Sequence, residues 1–418
     1  TGGFFSLAPR HASMVVVPAS LASSNPAAAR PTRASSVLAP ASRRPPRGTS
    51  AGAAAFTRRR ALTMHAPTAT GTGVEAAGVL GTMDPTVVAR GVLHVRTPLI
   101  ISKPMSELLG VDVYLKLDAL QPSGSFKLRG IGYTCQKALS EGASQLVSSS
   151  GGNAGLATAY AGQRLGVPTT VVVPRTTPEF ILDRLRSYGA TVEVHGAQWS
   201  EANERAVALS QSVGGKLVHP FEDEDTWTGH ATVVHEIKAD MEAAGLGGVV
   251  PSAVVTCVGG GGLLAGILQG LSEVGWGDHV PVIAAETEGA DCLATSIDQG
   301  EVVTLSGITS VAKSLGAASP SPAVFAMCQA RQAAGLVRCW RATDRQAVEA
   351  CMRFADDHRL LVEPACGAAL AAVYTGGSLL AKAGAGTGQG PVVVQVCGGA
   401  IMDRRTLVQL AKQFELDF

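Results

Sequence analysis

The sequence lacks the cysteine spacings that disulfide-rich and zinc-binding domains use. Its eight cysteines include no CxxC pair and no set with zinc-ligand spacing. We therefore expect free thiols and a reducing compartment rather than disulfides. The cysteines are Cys135, Cys257, Cys292, Cys328, Cys339, Cys351, Cys366 and Cys397.

Signals for dinucleotide, membrane and nucleic-acid binding are also missing. The glycine-rich turn at 259–262 has neither G-x-G-x-x-G spacing nor a following ribose-binding acid, which argues against a Rossmann site. The uncharged stretch 245–271 contains Pro251 and several glycines, so it suits a buried strand, loop and helix better than a lipid-facing helix. The arginine triplet at 58–60 has no interleaved aromatic residues, and we expect no nucleic-acid partner.

Residues 1–74 contain neither lysine nor an acidic residue. They carry nine arginines among alanine, serine and proline. This composition is typical of plastid or mitochondrial transit peptides; a disordered basic tail on a cytoplasmic protein is the alternative. Without those nine arginines the chain has 25 basic and 33 acidic residues, a net charge of −8, so the leader masks an acidic protein.

Alternating strand-like and helix-like segments dominate the rest of the chain. With 418 residues, 46% of them hydrophobic, the chain can bury a sizeable core and form two or three domains. Apolar strands at 169–173 and 191–194 flank a helical stretch at 179–188. This alternation predicts parallel α/β layers.

One lysine stands between glycines and small hydroxyl residues, in the stretch 123–130 with the sequence SGSFKLRG. A lysine amine whose pKa is lowered by apolar surroundings can condense with an aldehyde, which is how enzymes attach pyridoxal phosphate (PLP). By itself, the pair Phe126 and Lys127 fits equally an apolar anchor beside a solvated amine.

Two glycine motifs each follow an apolar strand and precede a helix. The first, SSSGGNAG at 148–155, gathers backbone N–H groups, the Ser150 hydroxyl and the Asn153 amide at a helix start, which suits a carboxylate. The second, GGGG at 259–262, allows the backbone to close around a phosphate. The alternatives are an ordinary N-cap for the first motif and a flexible linker for the second.

Together these segments resemble the serine and threonine dehydratase branch of the fold-type II PLP enzymes. The resemblance runs from about residue 93 to near the C-terminus, and 362–369 and 394–399 are similar to the animal-type L-serine dehydratases in particular. It implies an α/β fold like that of the tryptophan synthase β subunit, with two open twisted domains and the cofactor between them.

The resemblance also implies domain boundaries. A large PLP-binding domain is expected over 75–120 and 225–418. A small domain over 121–224 is expected to carry the substrate-carboxylate loop. About 20 residues follow Cys397, and we expect no C-terminal effector domain and no inhibition by isoleucine.

Roles for individual residues follow from the same resemblance. Lys127 would bind PLP and act as general base on the substrate Cα proton. The implied cofactor contacts are Phe126, Lys127, Asn153, Gly259, Gly260, Gly261, Gly262, Leu263 and Cys397. The implied substrate contacts are Ser150, Gly151, Gly152, Asn153 and Ser314. A monovalent cation, usually potassium, would be held by Gly259, Glu286, Ala290, Leu315 and Ala317.

Two of these assignments have simpler alternatives. Cys397 matches the residue that faces the pyridine nitrogen, and a neutral thiol there leaves the ring unprotonated, which favours β-elimination over transamination. It could equally be a small buried hydrophobic residue. Glu286 follows an apolar strand, where a carboxylate is often an exposed surface acid.

Two positions depart from the family pattern. Gly151 stands where many relatives carry alanine or serine, and we expect slack in the carboxylate site that Gly151→Ala would remove. The opposing possibility is that Gly151 needs a positive φ or a close contact. Ser314 replaces an alanine, and the sequence assigns its hydroxyl no role.

The activity implied is β-elimination of L-serine or L-threonine to pyruvate or 2-oxobutyrate and ammonia. Serine racemization and β-replacement, as in the cysteine synthases, are the nearest alternatives. A PLP-binding protein with little catalysis is an alternative of another class. The resemblance also implies a homodimer.

Overall fold

Two mainly parallel sheets form the framework of the protein. The computed structural model describes residues 80–375 and 390–417, so the predicted leader over 1–74 lies outside the described residues. All described residues belong to one compact unit, and its division into a large and a small domain stays a prediction. Within these ranges no helix is long and apolar enough to cross a membrane.

The larger sheet has six strands. They are β1 (Leu99–Ile101), β2 (Val113–Lys116), β7 (Ala253–Cys257), β8 (Val282–Thr287), β9 (Val337–Ala342) and β10 (Val392–Gln395). Their spatial order is β1-β2-β10-β7-β8-β9, and only β1 runs antiparallel to its neighbour. Every residue of β7, β8 and β10 is buried, as expected for parallel strands covered on both faces.

The smaller sheet has four parallel strands. They are β3 (Leu146–Ser148), β4 (Thr169–Val173), β5 (Thr191–Val194) and β6 (Lys216–Leu217), in the order β5-β4-β3-β6. The strands predicted at 169–173 and 191–194 are confirmed. The prediction of parallel α/β layers is confirmed with them.

Helices connect and cover the strands. They are α1 (Pro85–Ala89), α2 (Lys103–Leu109), α3 (Lys127–Ser140), α4 (Asn153–Leu165), α5 (Glu179–Ser187), α6 (Trp199–Val213), α7 (Glu224–Ala243), α8 (Gly262–Glu273), α9 (Cys292–Gln299), α10 (Pro322–Gln332), α11 (Asp344–His358), α12 (Pro364–Tyr374) and α13 (Arg404–Gln413). The helix predicted at 179–188 is confirmed as α5, with Tyr188 as its C-cap.

A buried cluster of charges fixes α3 in place. The Arg129 guanidinium is fully buried and donates to Asp118 and to Glu236 of α7, with closest distances of 2.7 Å to each. Lys116 of β2 also pairs with Glu236 at 2.7 Å. Removing one partner would leave an unpaired buried charge, at a cost of about 3–5 kcal/mol. The cluster therefore anchors the helix that begins at Lys127.

Candidate active site

Lys127 is the first residue of α3, and Phe126 is the N-cap. The Phe126 N–H donates to the carbonyl oxygen of Cys397 at 3.0 Å, which ties the helix start to the loop after β10. The Lys127 Nζ donates to the carbonyl oxygen of Pro220 at 2.5 Å. Although the residue is only partly buried, desolvation lowers the pKa of its amine to about 8 against opposing effects of two cysteines and Glu363. Near neutral pH part of the amine is unprotonated, as attachment to an aldehyde requires.

The glycine run at 259–262 forms the predicted strand, turn and helix start. It joins β7 to α8, and Gly261 has a φ of 99°. A Cβ on Gly260 would lie 2.4 Å from the Phe221 ring, and one on Gly262 would lie 2.7 Å from the Phe221 carbonyl oxygen. The N–H groups in the first turn of α8, that of Leu263 included, have no intrahelical acceptors. The turn is thus tightly packed and ordered, not a linker, and its N–H groups could hold an anion.

The serine- and glycine-rich loop at 148–155 connects β3 to α4. Gly152 is the N-cap of α4, and its N–H donates to the Ser150 hydroxyl at 3.2 Å. A Cβ on Gly155 would lie 1.8 Å from the Ser150 carbonyl oxygen, so the loop can adopt this conformation only with glycine at position 155. Ser150 and Gly152 are partly buried, which leaves this helix start open to a small anion.

Gly151 does not leave the slack that its sequence context predicts. A Cβ there would lie 2.9 Å from Thr177 Oγ1, 3.0 Å from Thr177 Cγ2 and 3.4 Å from Val173 Cγ1. Gly151 is not among the glycines with positive φ. The expectation of a slack pocket is therefore wrong, because the Thr177 side chain fills the space that an alanine methyl would take.

Asn153 joins the loop at 148–155 to two distant segments. Its Nδ2 donates to Glu363 Oε1 at 2.8 Å, and its Oδ1 accepts from the Ala400 N–H at 2.9 Å. These bonds set the amide orientation and leave one N–H of the amide uncommitted. The side chain is buried, so the first residue of α4 is held rigidly at the site.

Glu363 is a site residue that the sequence analysis did not single out. It is the N-cap of α12 and is only 3% exposed. Desolvation raises the pKa of Glu363 to about 7, against opposing effects of Ser314, Asn153 and Lys127. The Ser314 hydroxyl, in the 3₁₀ turn Lys313–Leu315, therefore acts on this carboxyl group by lowering its pKa. The sequence carries no signal for contacts between Glu363 and residues more than 45 positions away.

Cys397 lies just after β10 in a group of thiols. Its Sγ is 3.3 Å from Cys257 Sγ. Contacts with Cys257 and Cys366, together with burial, raise the pKa of Cys397 well above its usual value. The thiol is therefore neutral, as the sequence analysis assumed for a partner of the pyridine nitrogen.

Glu286 is the last but one residue of β8 and is fully buried, so it is not an exposed surface acid. Its carboxylate accepts from the Leu293 N–H at 3.0 Å and from the Ala294 N–H at 2.7 Å, at the start of α9. Desolvation raises the pKa of Glu286 to about 8. A Cβ on Gly259 would lie 3.3 Å from the Leu315 carbonyl oxygen, so two of the residues predicted as ligands are neighbours.

The other predicted cation ligands make local backbone contacts. The Ala317 N–H donates to the Leu315 carbonyl oxygen at 2.7 Å, and the Ala290 N–H donates to Thr287. Across the described ranges, no group of three or more His, Cys, Asp or Glu side chains could hold a metal ion. Any ion at Glu286 would therefore depend on backbone oxygens.

A second set of residues missed in the sequence is the loop after β6. Pro220 accepts from Lys127, and Phe221 covers Gly260 and Gly262. The Trp227 indole N–H donates to the Phe221 carbonyl oxygen at 2.6 Å, which fixes the loop to α7. This loop brings Lys127 and the glycine turn at 259–262 together.

The chain matches known proteins over most of its length. The profile of the family described as "Pyridoxal-phosphate dependent enzyme" matches residues 92–398. A human protein named "Serine dehydratase-like" is 47% identical over 321 residues, which cover 76% of this chain and 94% of the relative. A mouse "L-serine dehydratase/L-threonine deaminase" is 45% identical over 334 residues, or 79% of this chain and 99% of the relative.

Solved structures agree with these sequence matches. A fungal L-serine ammonia-lyase from Rhizomucor miehei is similar with a TM-score of 0.69 and 34% identity, over 77% of this chain and 99% of the other. Maize serine racemase, at 23% identity and a TM-score of 0.68 over 81% of this chain and 98% of the other, shares the fold. The chain belongs to the pyridoxal-phosphate dependent enzyme family, as its three motifs predicted.

Proposed function

We propose that this protein is an L-serine/L-threonine ammonia-lyase, which eliminates the β-hydroxyl group to give pyruvate or 2-oxobutyrate and ammonia. The observation that carries the proposal is a chain of contacts around Lys127. Its amine bonds Pro220, and the next residue, Phe221, packs on the glycine turn at 259–262. Glu363, which interacts with Lys127, bonds Asn153 of the loop at 150–153. Relatives named as serine dehydratases and threonine deaminases, at 45% identity, support the same reaction.

The residues at the site fit PLP. A partly buried amine with a lowered pKa suits the aldehyde of PLP, and the glycine turn leaves no room for any Cβ at Gly260 or Gly262. When bound, PLP supplies an electron sink for bond breaking at the Cα atom of an amino acid. Gly259, Gly260, Gly261, Gly262 and Leu263 would hold its phosphate through backbone N–H groups.

Lys127 would both attach the cofactor and move the Cα proton. Its Nζ is positioned by the Pro220 carbonyl oxygen, and the pKa of about 8 lets the free amine accept a proton near neutral pH. Phe126, whose ring centroid is 5.1 Å from this Nζ, would lie against the cofactor ring.

The loop at 150–153 would bind the substrate carboxylate. The Ser150 hydroxyl and the Gly151 N–H would donate to it at the start of α4, where the helix dipole favours an anion, and the Gly152 N–H, which bonds the Ser150 hydroxyl, would hold that hydroxyl in place. Asn153 would donate its uncommitted N–H to the phenolic oxygen of PLP. Ser314 would act beside the substrate through Glu363.

Cys397 would face the pyridine nitrogen. Its raised pKa keeps the thiol neutral, so it would not protonate the ring. A weaker electron sink favours prompt loss of a β-hydroxyl group over a slower transamination.

A potassium ion beside the phosphate cradle is part of the proposal. Glu286 and the carbonyl oxygens of Gly259, Ala290, Leu315 and Ala317 would be its ligands, because hard oxygen donors suit an alkali ion. A cation would also offset the cost of burying the Glu286 carboxylate. Activity that is equal in potassium and tetramethylammonium salts would contradict this part.

Targeting and assembly are further parts of the proposal. The nine arginines and absent acids of residues 1–74 support delivery to a plastid or mitochondrion. A homodimer is supported by the edge strand β1, where Ile100 and Ile101 are exposed. The small domain would comprise 121–224, which contains the whole smaller sheet.

Product analysis tests the proposed reaction. Purified protein with PLP and L-serine alone should release pyruvate and ammonia in equal amounts. Formation of D-serine, or of a thioether from added thiol, would instead support a racemase or a β-replacement enzyme. A protein that shows lysine-bound PLP absorbance without turnover would support a PLP-binding protein with little catalysis.

A further inference from the structure

Glu363 carries a buried carboxyl oxygen that has no partner. Oε1 accepts from Asn153 Nδ2, and Oε2 has no hydrogen-bond partner of ordinary geometry in the described ranges, although the Ser314 hydroxyl acts on the same carboxyl group. A Cβ on Gly399 would lie 2.2 Å from the Glu363 Cδ, so the carboxyl group is packed closely against the loop after β10. A buried oxygen of this kind is costly as an anion and available as a donor when protonated.

Burial favours the neutral form of Glu363, whereas Ser314, Asn153 and Lys127 favour the ionised form. Two titratable side chains interact with it, Lys127 from α3 and Cys351 from α11. Burial raises the pKa of Cys351 well above its usual value, so this thiol is uncharged. Lys127 is therefore the one positive charge in this set, and it favours ionised Glu363.

The geometry also places two donors side by side. Because the Asn153 Oδ1 is occupied by the Ala400 N–H, the amide presents its NH₂ group toward Glu363 and the site. We propose that Glu363 is protonated in the holoenzyme, holds the Asn153 amide in this orientation, and donates from Oε2 to the same PLP oxygen that Asn153 binds. This inference rests on the proposed role of Asn153. A neutral carboxylic acid acting as donor in an apolar site is an established device in enzymes.

The pH dependence of PLP affinity tests this proposal. Glu363→Gln keeps an acceptor for Asn153 and replaces the O–H by an N–H donor that cannot ionise. PLP is titrated into apoprotein, without substrate, by its visible absorbance between about pH 6 and about pH 9. At each pH the wild-type affinity is divided by the Glu363→Gln affinity, which removes every pH effect that the two proteins share and leaves the contribution of Glu363, including its charge interaction with Lys127.

This ratio should fall by at least about tenfold over that range, because only the wild-type carboxyl group ionises. A constant ratio would overturn the proposal and leave Glu363 with a structural role. Glu349→Gln is the matched control, since Glu349 is exposed on α11 and its loss changes the net charge equally. The PLP affinity of wild type divided by that of Glu349→Gln should stay constant over the same pH range.

A second variant covers the case in which Glu363→Gln does not fold. The Ser314 hydroxyl lowers the pKa of Glu363, so Ser314→Ala should move the fall in PLP affinity to higher pH. An unshifted fall would contradict the proposal. Because no substrate is present, the result is independent of whether the protein releases pyruvate from serine.

Discussion

Gly151→Ala tests whether Thr177 fills the space beside the loop at 148–155. The new methyl group would lie 2.9 Å from Thr177 Oγ1 and 3.0 Å from Thr177 Cγ2. Rotation of the Thr177 side chain does not relieve both contacts, because it moves one branch of this β-branched side chain into the place of the other. Overpacking of this kind costs about 1–3 kcal/mol. If the loop shifts to relieve it, kcat/KM for L-serine should fall by about 5- to 150-fold.

A double-mutant cycle assigns the loss to this contact. Thr177→Ala removes both atoms that the methyl group meets, so Gly151→Ala/Thr177→Ala should recover at least about 1 kcal/mol of the loss. Gly247→Ala is the control, because a Cβ at Gly247 meets no atom within 4 Å. A rise in kcat/KM for Gly151→Ala alone, or a double variant no better than the single one, would refute the reasoning.

Four further outcomes are expected. Lys127→Ala should abolish the visible absorbance of lysine-bound PLP and pyruvate formation; retention of both would show that another group binds the cofactor. The rate of PLP uptake by apoprotein should rise with pH through about 8, because the Lys127 amine loses its proton there, and a falling rate would contradict this. Gly260→Ala should weaken PLP binding about tenfold or more, since its Cβ would lie 2.4 Å from the Phe221 ring; an unchanged Kd would remove the argument for the cradle. Deleting residues 1–74 should leave PLP binding intact, and loss of binding would show that the leader contributes to the fold.

Local patterns predicted the framework of the site. Strand, glycine turn and helix at 148–155 and at 259–262 could be recognised because each motif carries its own hydrophobic and turn signals. The unit at 169–194 was predicted for the same reason. In each case the structure depends on residues that are neighbours in the chain.

Contacts across the chain could not be predicted in this way. Glu363 hydrogen-bonds Asn153, which is 210 positions away in the chain. Nothing in the sequence near Val362 indicates a buried carboxyl oxygen without a partner. Thr177 fills the space at Gly151 from a separate turn, which reverses the conclusion drawn from residue size alone. Phe221 and Pro220 likewise acquire their roles only when the loop after β6 folds onto α3 and α8.

The central claim is that Lys127 serves a PLP-dependent β-elimination of a hydroxyamino acid. The most direct test incubates PLP-loaded wild-type and Lys127→Ala protein with L-serine alone, and measures pyruvate, ammonia and D-serine in the same samples. The account predicts equal amounts of pyruvate and ammonia from wild type and neither from the variant. D-serine without pyruvate, or equal pyruvate from both proteins, would contradict it.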